Sequence, residues 1–125
     1  MNNLYLSMEK YLVLFPDGSM RWIHCQHEDI CSTFRDSIGC DCLEHVKLPF
    51  GFGCVVDESG KIKKDPQPIN PYASKMYPGF PYGDPLVGPV VFVREGLYEG
   101  EWDWVPLTAR DLLMIELILG KKVPE

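Results

Sequence analysis

Apolar residues in this chain run unbroken in some stretches, alternate with polar ones in others, and recur at helical spacing in two more. In "YLVLFPDGSMRWIHC", residues 11–15 read as a strand, Pro16, Asp17 and Gly18 as turn formers, and residues 20–24 as the return, which predicts a hairpin. "HEDICSTFRDSIG" follows, with Ile30, Cys31, Phe34 and Ile38 gathered on one helical face, acids in the first turn and Gly39 past the end. That spacing predicts a short amphipathic helix with Cys31 on its core side.

"CLEHVKLPF" is an ambiguous extended segment, whereas "GFGCVVDESGKIKK" predicts a second hairpin: a strand over 54–56, a turn over 57–60 and a polar return over 61–64. "GPVVFVREG" supplies a strand over 89–94 whose nearly continuous apolar run argues for a central place in a sheet, with Pro89 at its start. The last helix has the clearest boundaries. Thr108 is an N-cap with Asp111 three residues on, and Leu107 and Leu112 stand at the positions of a hydrophobic staple. Gly120 suits the C-terminal left-handed position, with Lys121 and Lys122 at the negative end of the helix dipole. Between those ends the residues 112–119 are apolar on most sides, with Glu116 the exception, so the helix calls for burial on more than one side, by its own core or by a second subunit.

These elements predict an α+β fold: a small mixed or mainly antiparallel sheet with two or three short helices, the C-terminal one hydrophobic. At 125 residues and 14.3 kDa, one domain over 1–125 is the expectation. The formal charge of -6, from 18 acidic and 12 basic residues, disfavours nucleic acid, whose binding draws on clustered Lys and Arg. No apolar run is long enough to span a bilayer, and "MNNLYLSMEKYLVLF" lacks the form of a secretion signal, so a cytoplasmic setting is expected. The five irregularly spaced cysteines then read as reduced thiols.

His24, His27, Cys40 and Cys42 are of the right chemistry for a structural zinc site, but Cys40 and Cys42 have one residue between them where a zinc knuckle has two. Buried thiols and locally bonded histidines are the simpler account, and no cofactor is expected. A Cys–His enzyme has no third group to orient the pair, and "GFGCVVDESG" lacks the dinucleotide fingerprint. Glu95, Glu99, Glu101 and Asp103 interleave with Tyr98, Trp102 and Trp104. Proximity in sequence does not give such acids the unequal environments that acid–base work requires. The same pattern fits a twisted hairpin or a contact patch, in which aromatics supply area and carboxylates orient a basic-faced protein partner.

"PQPINPYASKMYPGFPYGDP" holds six of the eleven prolines. It lacks the basic flank of a proline-rich ligand, and Asn70 with Pro71 spells a helix cap followed by a first helical position. Residues 66–88 therefore read as an internal crossover with a short helix, whose Tyr72, Tyr77, Phe80 and Tyr82 are contact candidates. On the hairpin the candidates are Tyr98, Glu99, Glu101, Trp102 and Trp104.

The order of "VVDESGKI", "INPYAS", "DPLVGPVVFV" and "PLTARDLL", over roughly residues 43–117, resembles the uncharacterised DUF3846 family of phages and bacterial mobile elements. The resemblance implies a small α+β domain with an accessory role in conflict or replication. It implies no activity and no catalytic residues. The function expected is a small non-enzymatic protein-interaction or modulator domain. The alternatives are a zinc-stabilised domain, or a small-ligand domain or enzyme whose site forms only in three dimensions. A homodimer through the C-terminal helix is a further expectation.

Overall fold

A computed structural model of the chain describes residues 8–62, 65–77 and 84–125. The first hairpin forms as expected: β1 (Glu9–Leu14) pairs antiparallel with β2 (Met20–Cys25), from Glu9↔Cys25 to Leu14↔Met20. Its turn is closed by Asp17, whose Oδ1 accepts from the Ser19 amide at 2.9 Å and from the Ser19 hydroxyl at 2.6 Å. Gly18 lies there at φ 87°, and a Cβ on it would stand 2.7 Å from the Tyr72 ring, so only glycine serves both the turn and the packing. A single 3-10 turn (His27–Asp29) then leads into α1 (Ile30–Ile38), which ends at Gly39.

β3 (Leu43–Lys47) and β4 (Gly53–Asp57) form the second hairpin, and this corrects the sequence reading. The turn expected after Asp57 does form, with the Gly60 amide donating to the Asp57 carbonyl at 3.1 Å. Residues 61–62 continue that turn instead of pairing back, and 63–64 lie outside the described residues. The partners β4 would have found in a return strand are taken by β3 on one side and β5 (Val90–Tyr98) on the other. The strand order is β2-β1-β5-β4-β3 with antiparallel neighbours throughout, and β6 (Glu101–Val105) joins the second half of β5. The fold is α+β: the described residues form a six-stranded antiparallel sheet with three α-helices.

The sheet is covered on both faces, which explains why its inner strands lack alternation. Tyr11, Val13, Val55, Val91 and Val93 point to one face and pack with Ile30, Phe34 and Ile38 of α1. The residues between them, Leu12, Leu14, Cys54, Val56, Val90 and Phe92, point to the other. There they meet Ala73 of α2 (Pro71–Ser74), Met76, and Ile115 of α3 (Ala109–Leu119). Cys31 does not join the core: the buried stripe of α1 is Ile30, Phe34 and Ile38, and a residue one step from Ile30 is turned about 100° away, to solvent.

α3 carries the cap read from its sequence. The Thr108 Oγ1 accepts from the Asp111 amide at 3.2 Å, and Asp111 Oδ2 accepts from the Thr108 amide at 3.0 Å. The helix lies on the sheet through Ile115, while Leu113 and Leu117 stay 56% and 70% exposed. Burial on more than one side is therefore not achieved within the described residues. No helix among them is long and apolar enough to cross a membrane.

The crossover is held by Asn70, which is fully buried. Its Oδ1 accepts from the Ala73 amide at 3.0 Å, capping α2 as expected, and its Nδ2 donates to the carbonyls of Leu14 (3.1 Å) and Gly88 (2.9 Å). One amide thus ties the end of β1, the approach to β5 and the start of α2. The two limbs of the crossover also pair, with the Asn70 amide donating to Leu86 O at 2.8 Å and the Gly88 amide to Pro68 O at 2.7 Å. Replacing Asn70 by Ala removes three hydrogen bonds to buried backbone groups at ~1 kcal/mol each, so Asn70→Ala is expected to lower unfolding free energy by about 3 kcal/mol. Urea denaturation with an unchanged m value is the measurement, and a loss below about 1 kcal/mol would refute the assignment.

Candidate functional site

β5 changes character along its length. Residues 90–93 are buried, whereas from Arg94 onward half-buried and exposed positions alternate, and this is where β6 replaces β1 and β4 as the partner. The root of the resulting hairpin is pinned by Arg94, whose Nε and Nη2 donate to Asp111 Oδ2 and Oδ1 at 2.8 and 2.6 Å. Burial opposes the charge on Asp111, yet Arg94 and Thr108 together hold its carboxyl below the usual range. The same carboxylate therefore caps α3 and anchors β5.

At the tip, Tyr98 pairs with Glu101 across a two-residue turn in which Glu99 and Gly100 both have positive φ, 50° and 85°. Two-residue hairpin turns favour that backbone because it follows the twist of the strands, and they favour Asn or Gly in its first position. Glu99 is a less suitable residue there, at a cost of about 1 kcal/mol. It projects a carboxylate from the tip.

The two faces of the hairpin have different fates. On the face with Glu95 and Trp104, the Trp104 ring stacks on Phe34 with centroids 5.8 Å apart, sealing the layer under α1. Two residues nearer the tip, Trp102 stands across from Leu97 with no such cover; they are 74% and 65% exposed. Glu95 is exposed on the same face, Glu99 at the tip, and Glu101, across from Tyr98, on the other face.

On the opposite face, His27 grips the hairpin. Its ring stacks on Tyr98 at 3.5 Å and 10°, its Nδ1 lies 2.9 Å from Glu9 Oε1, and its Nε2 lies 2.8 Å from Asp103 Oδ2. Ionised carboxylates only accept, so both ring nitrogens donate and His27 is held as an imidazolium. Burial opposes that charge, but the bonds to Asp103 and Glu9 outweigh it and raise the pKa. The bond from His27 in turn lowers that of Asp103. Glu9 Oε1 also accepts from the Tyr11 hydroxyl at 2.7 Å, which fixes the carboxylate on β1.

The other candidates are dispersed. Tyr72 is half-buried beneath the Gly18 turn, with the Lys75 and Lys121 ammonium groups each 5.6 Å from its ring centre, and Tyr77 is half-buried against the same core. Both serve packing. Phe80 and Tyr82 lie outside the described residues. His24 is an exposed residue of β2, His27 is in the carboxylate clamp, and Cys40 and Cys42 lie between α1 and β3. No three His, Cys, Asp or Glu side chains among the described residues are grouped to hold a metal, so these four form no such set. Cys54 is fully buried and its thiol is pushed up to about 12 by burial, which leaves it no thiolate for catalysis.

A cleft of about 220 Å³ is lined by His45, Lys47, Leu48, Phe52, Gly53 and Glu95. His45 Nδ1 is 3.5 Å from Glu95 Oε1, and its Nε2, buried with no hydrogen-bond partner among the described residues, lies against the Gly53 backbone. The nitrogen is closed to solvent, so this cleft presents no accessible base there.

Two residues important to the site were not singled out from sequence, Leu97 and Glu9. The signal for Leu97 was present in "VVFVREGLY", where an unbroken apolar run gives way to alternation and marks the point at which β5 leaves the core. Glu9 belongs to the clamp only through register, because it pairs with Cys25 and so lies close to His27.

The clamp has a calculable pH dependence. His27 stabilises the fold in full below its ordinary pKa of 6.5, and that contribution is lost as pH rises through the raised folded value. Asp103 contributes in full above 3.8 and loses its contribution as pH falls through its lowered folded value. The melting-temperature difference between wild type and His27→Gln should be greatest between those limits and shrink as the solution becomes alkaline; a difference constant from about pH 5 to pH 9 would contradict the clamp. At the tip, Glu99→Asn relieves the backbone and is expected to stabilise the protein by about 0.5–1 kcal/mol in urea denaturation. A loss of stability would show that Glu99 makes contacts that offset its strain.

Comparison with protein-family models, with curated proteins and with solved structures finds no match to this chain.

Proposed function

We propose that this protein is a non-enzymatic protein-interaction domain that presents the β5–β6 hairpin to a partner with a basic face. The observation that carries the reading is the cross-strand pair of Leu97 and Trp102, exposed side by side on a hairpin whose root and opposite face are fixed. Large apolar side chains at 65% and 74% exposure leave area uncovered that a partner can bury. Tryptophan is a frequent anchor of binding energy, because it contributes much contact area for few rotatable bonds.

Two further features support the reading. The exposed carboxylates of Glu95, Glu99 and Glu101 on the hairpin would speed encounter with a basic surface, and Glu95 and Glu99 would help orient it against the pair. The clamp reduces the ordering cost of binding, since the hairpin is held in one conformation before the partner arrives. The resemblance to DUF3846 fits within this proposal as an accessory or modulator role.

Affinity capture from a lysate of the source organism tests the reading, with wild type, Trp102→Ala and the double variant Glu99→Lys/Glu101→Lys as baits. Loss of a central anchor costs on the order of 2 kcal/mol, about thirty-fold in affinity, so Trp102→Ala should lose the specific partner and the charge reversal should weaken it. Recovery of the same proteins in the same amounts by all three baits would overturn the proposal.

A further inference from the structure

The hairpin is not the only uncovered apolar surface. At the far end of α3, Leu113, Glu116, Leu117, Gly120, Lys121 and Lys122 line a hollow of about 230 Å³. The two leucines are one helical turn apart and largely exposed. Glu116 Oε2 accepts from the Val123 amide at 2.9 Å and Lys121 Nζ donates to the Gly18 carbonyl at 2.7 Å, so both side chains are turned onto their own chain while keeping their charges. Two lysines against one glutamate leave the rim with a net positive charge, on a chain whose net charge is -6.

From this complementarity we infer that a second copy of this chain docks head to tail, the Leu97–Trp102 pair of one copy seated on the Leu113–Leu117 hollow of the next. The aromatic knob has an acidic rim and the apolar hollow a basic one, so contact buries both uncovered surfaces and sets opposite charges around them. The alternative of two α3 helices packing on each other sets like charges together. Antiparallel pairing about Leu113 and Leu117 lays Arg110 of one copy beside Lys121 of the other, and parallel pairing gathers all four lysines. Pairing of knob with hollow is heterologous, so one copy can use its hairpin and its helix with two different neighbours. The inference rests on the hairpin being a contact surface and adds the identity of one partner.

The test is sedimentation equilibrium of the full chain up to about 1 mM, the range in which a contact this small is populated. Wild type should depart from 14.3 kDa as concentration rises. Trp102→Ala, which keeps the hollow, and Leu117→Asp, which keeps the knob, should each remain monomeric. Their equimolar mixture should recover association and stop at the dimer, because each variant retains one half of the contact. Circular dichroism checks that both are folded; Leu97→Ser and Leu113→Ser form a second pair if either is not. A wild type that stays at 14.3 kDa overturns the inference and leaves the hairpin free for a different protein, a case that affinity capture decides separately. Association abolished by Leu117→Asp but unaffected by Trp102→Ala overturns it in favour of symmetric helix pairing. A mixture that fails to associate when wild type does overturns it as well.

Discussion

The ion pair between Arg94 and Asp111 sits where β5 stops being core and becomes hairpin, and the two halves of the molecule are related through it. Asp111 is 2% exposed, so its carboxylate is tolerable only while Arg94 and the α3 cap satisfy it. Removing Arg94 would leave a charge in the interior, at a cost on the order of 3–5 kcal/mol, far more than a surface ion pair is worth. What this placement provides is registration: the α3 cap, the root of the hairpin and the end of the buried strand share one carboxylate and cannot shift independently.

Farther along the hairpin a second ionic group does similar work. The imidazolium of His27 joins β1 to β6 through Glu9 and Asp103, and Tyr98 stacks on it. The opposite face is held at its base by Trp104 on Phe34. What remains after these contacts are made is Trp102, Leu97 and the acids of the tip, the part of the hairpin that the other described residues leave exposed. Glu99 at the turn has a positive φ, where stability favours Asn or Gly, and its carboxylate is exposed at the tip.

Much of the fold was readable because the relevant signals are local. Thr108 with Asp111, Asn70 with Pro71, and the turn formers after β1 each satisfy backbone groups a few residues away, so the sequence window contains both partners. The continuous apolar run of β5 correctly placed it at the centre of the sheet. The pairing of β4 was misread because the turn at Asp57 is genuine and only long-range competition from β3 and β5 shows that no return strand follows it. Cys31 was misplaced by one helical step. For the site, the acids and aromatics of residues 98–104 were visible as a group, but their sorting was not. Trp104 and Tyr98 are occupied by Phe34 and His27, partners more than sixty residues away in sequence, and Trp102 is left exposed between them.

The contacts of Arg94, His27 and Trp104 imply that the hairpin is a fixed platform before any partner arrives. Backbone ¹⁵N order parameters across residues 95–104 test it most directly. Values near 0.85, like those of the buried strands, are predicted for the residues beside Trp102 and Leu97; values below about 0.6 would show a mobile hairpin and contradict a pre-organised contact surface.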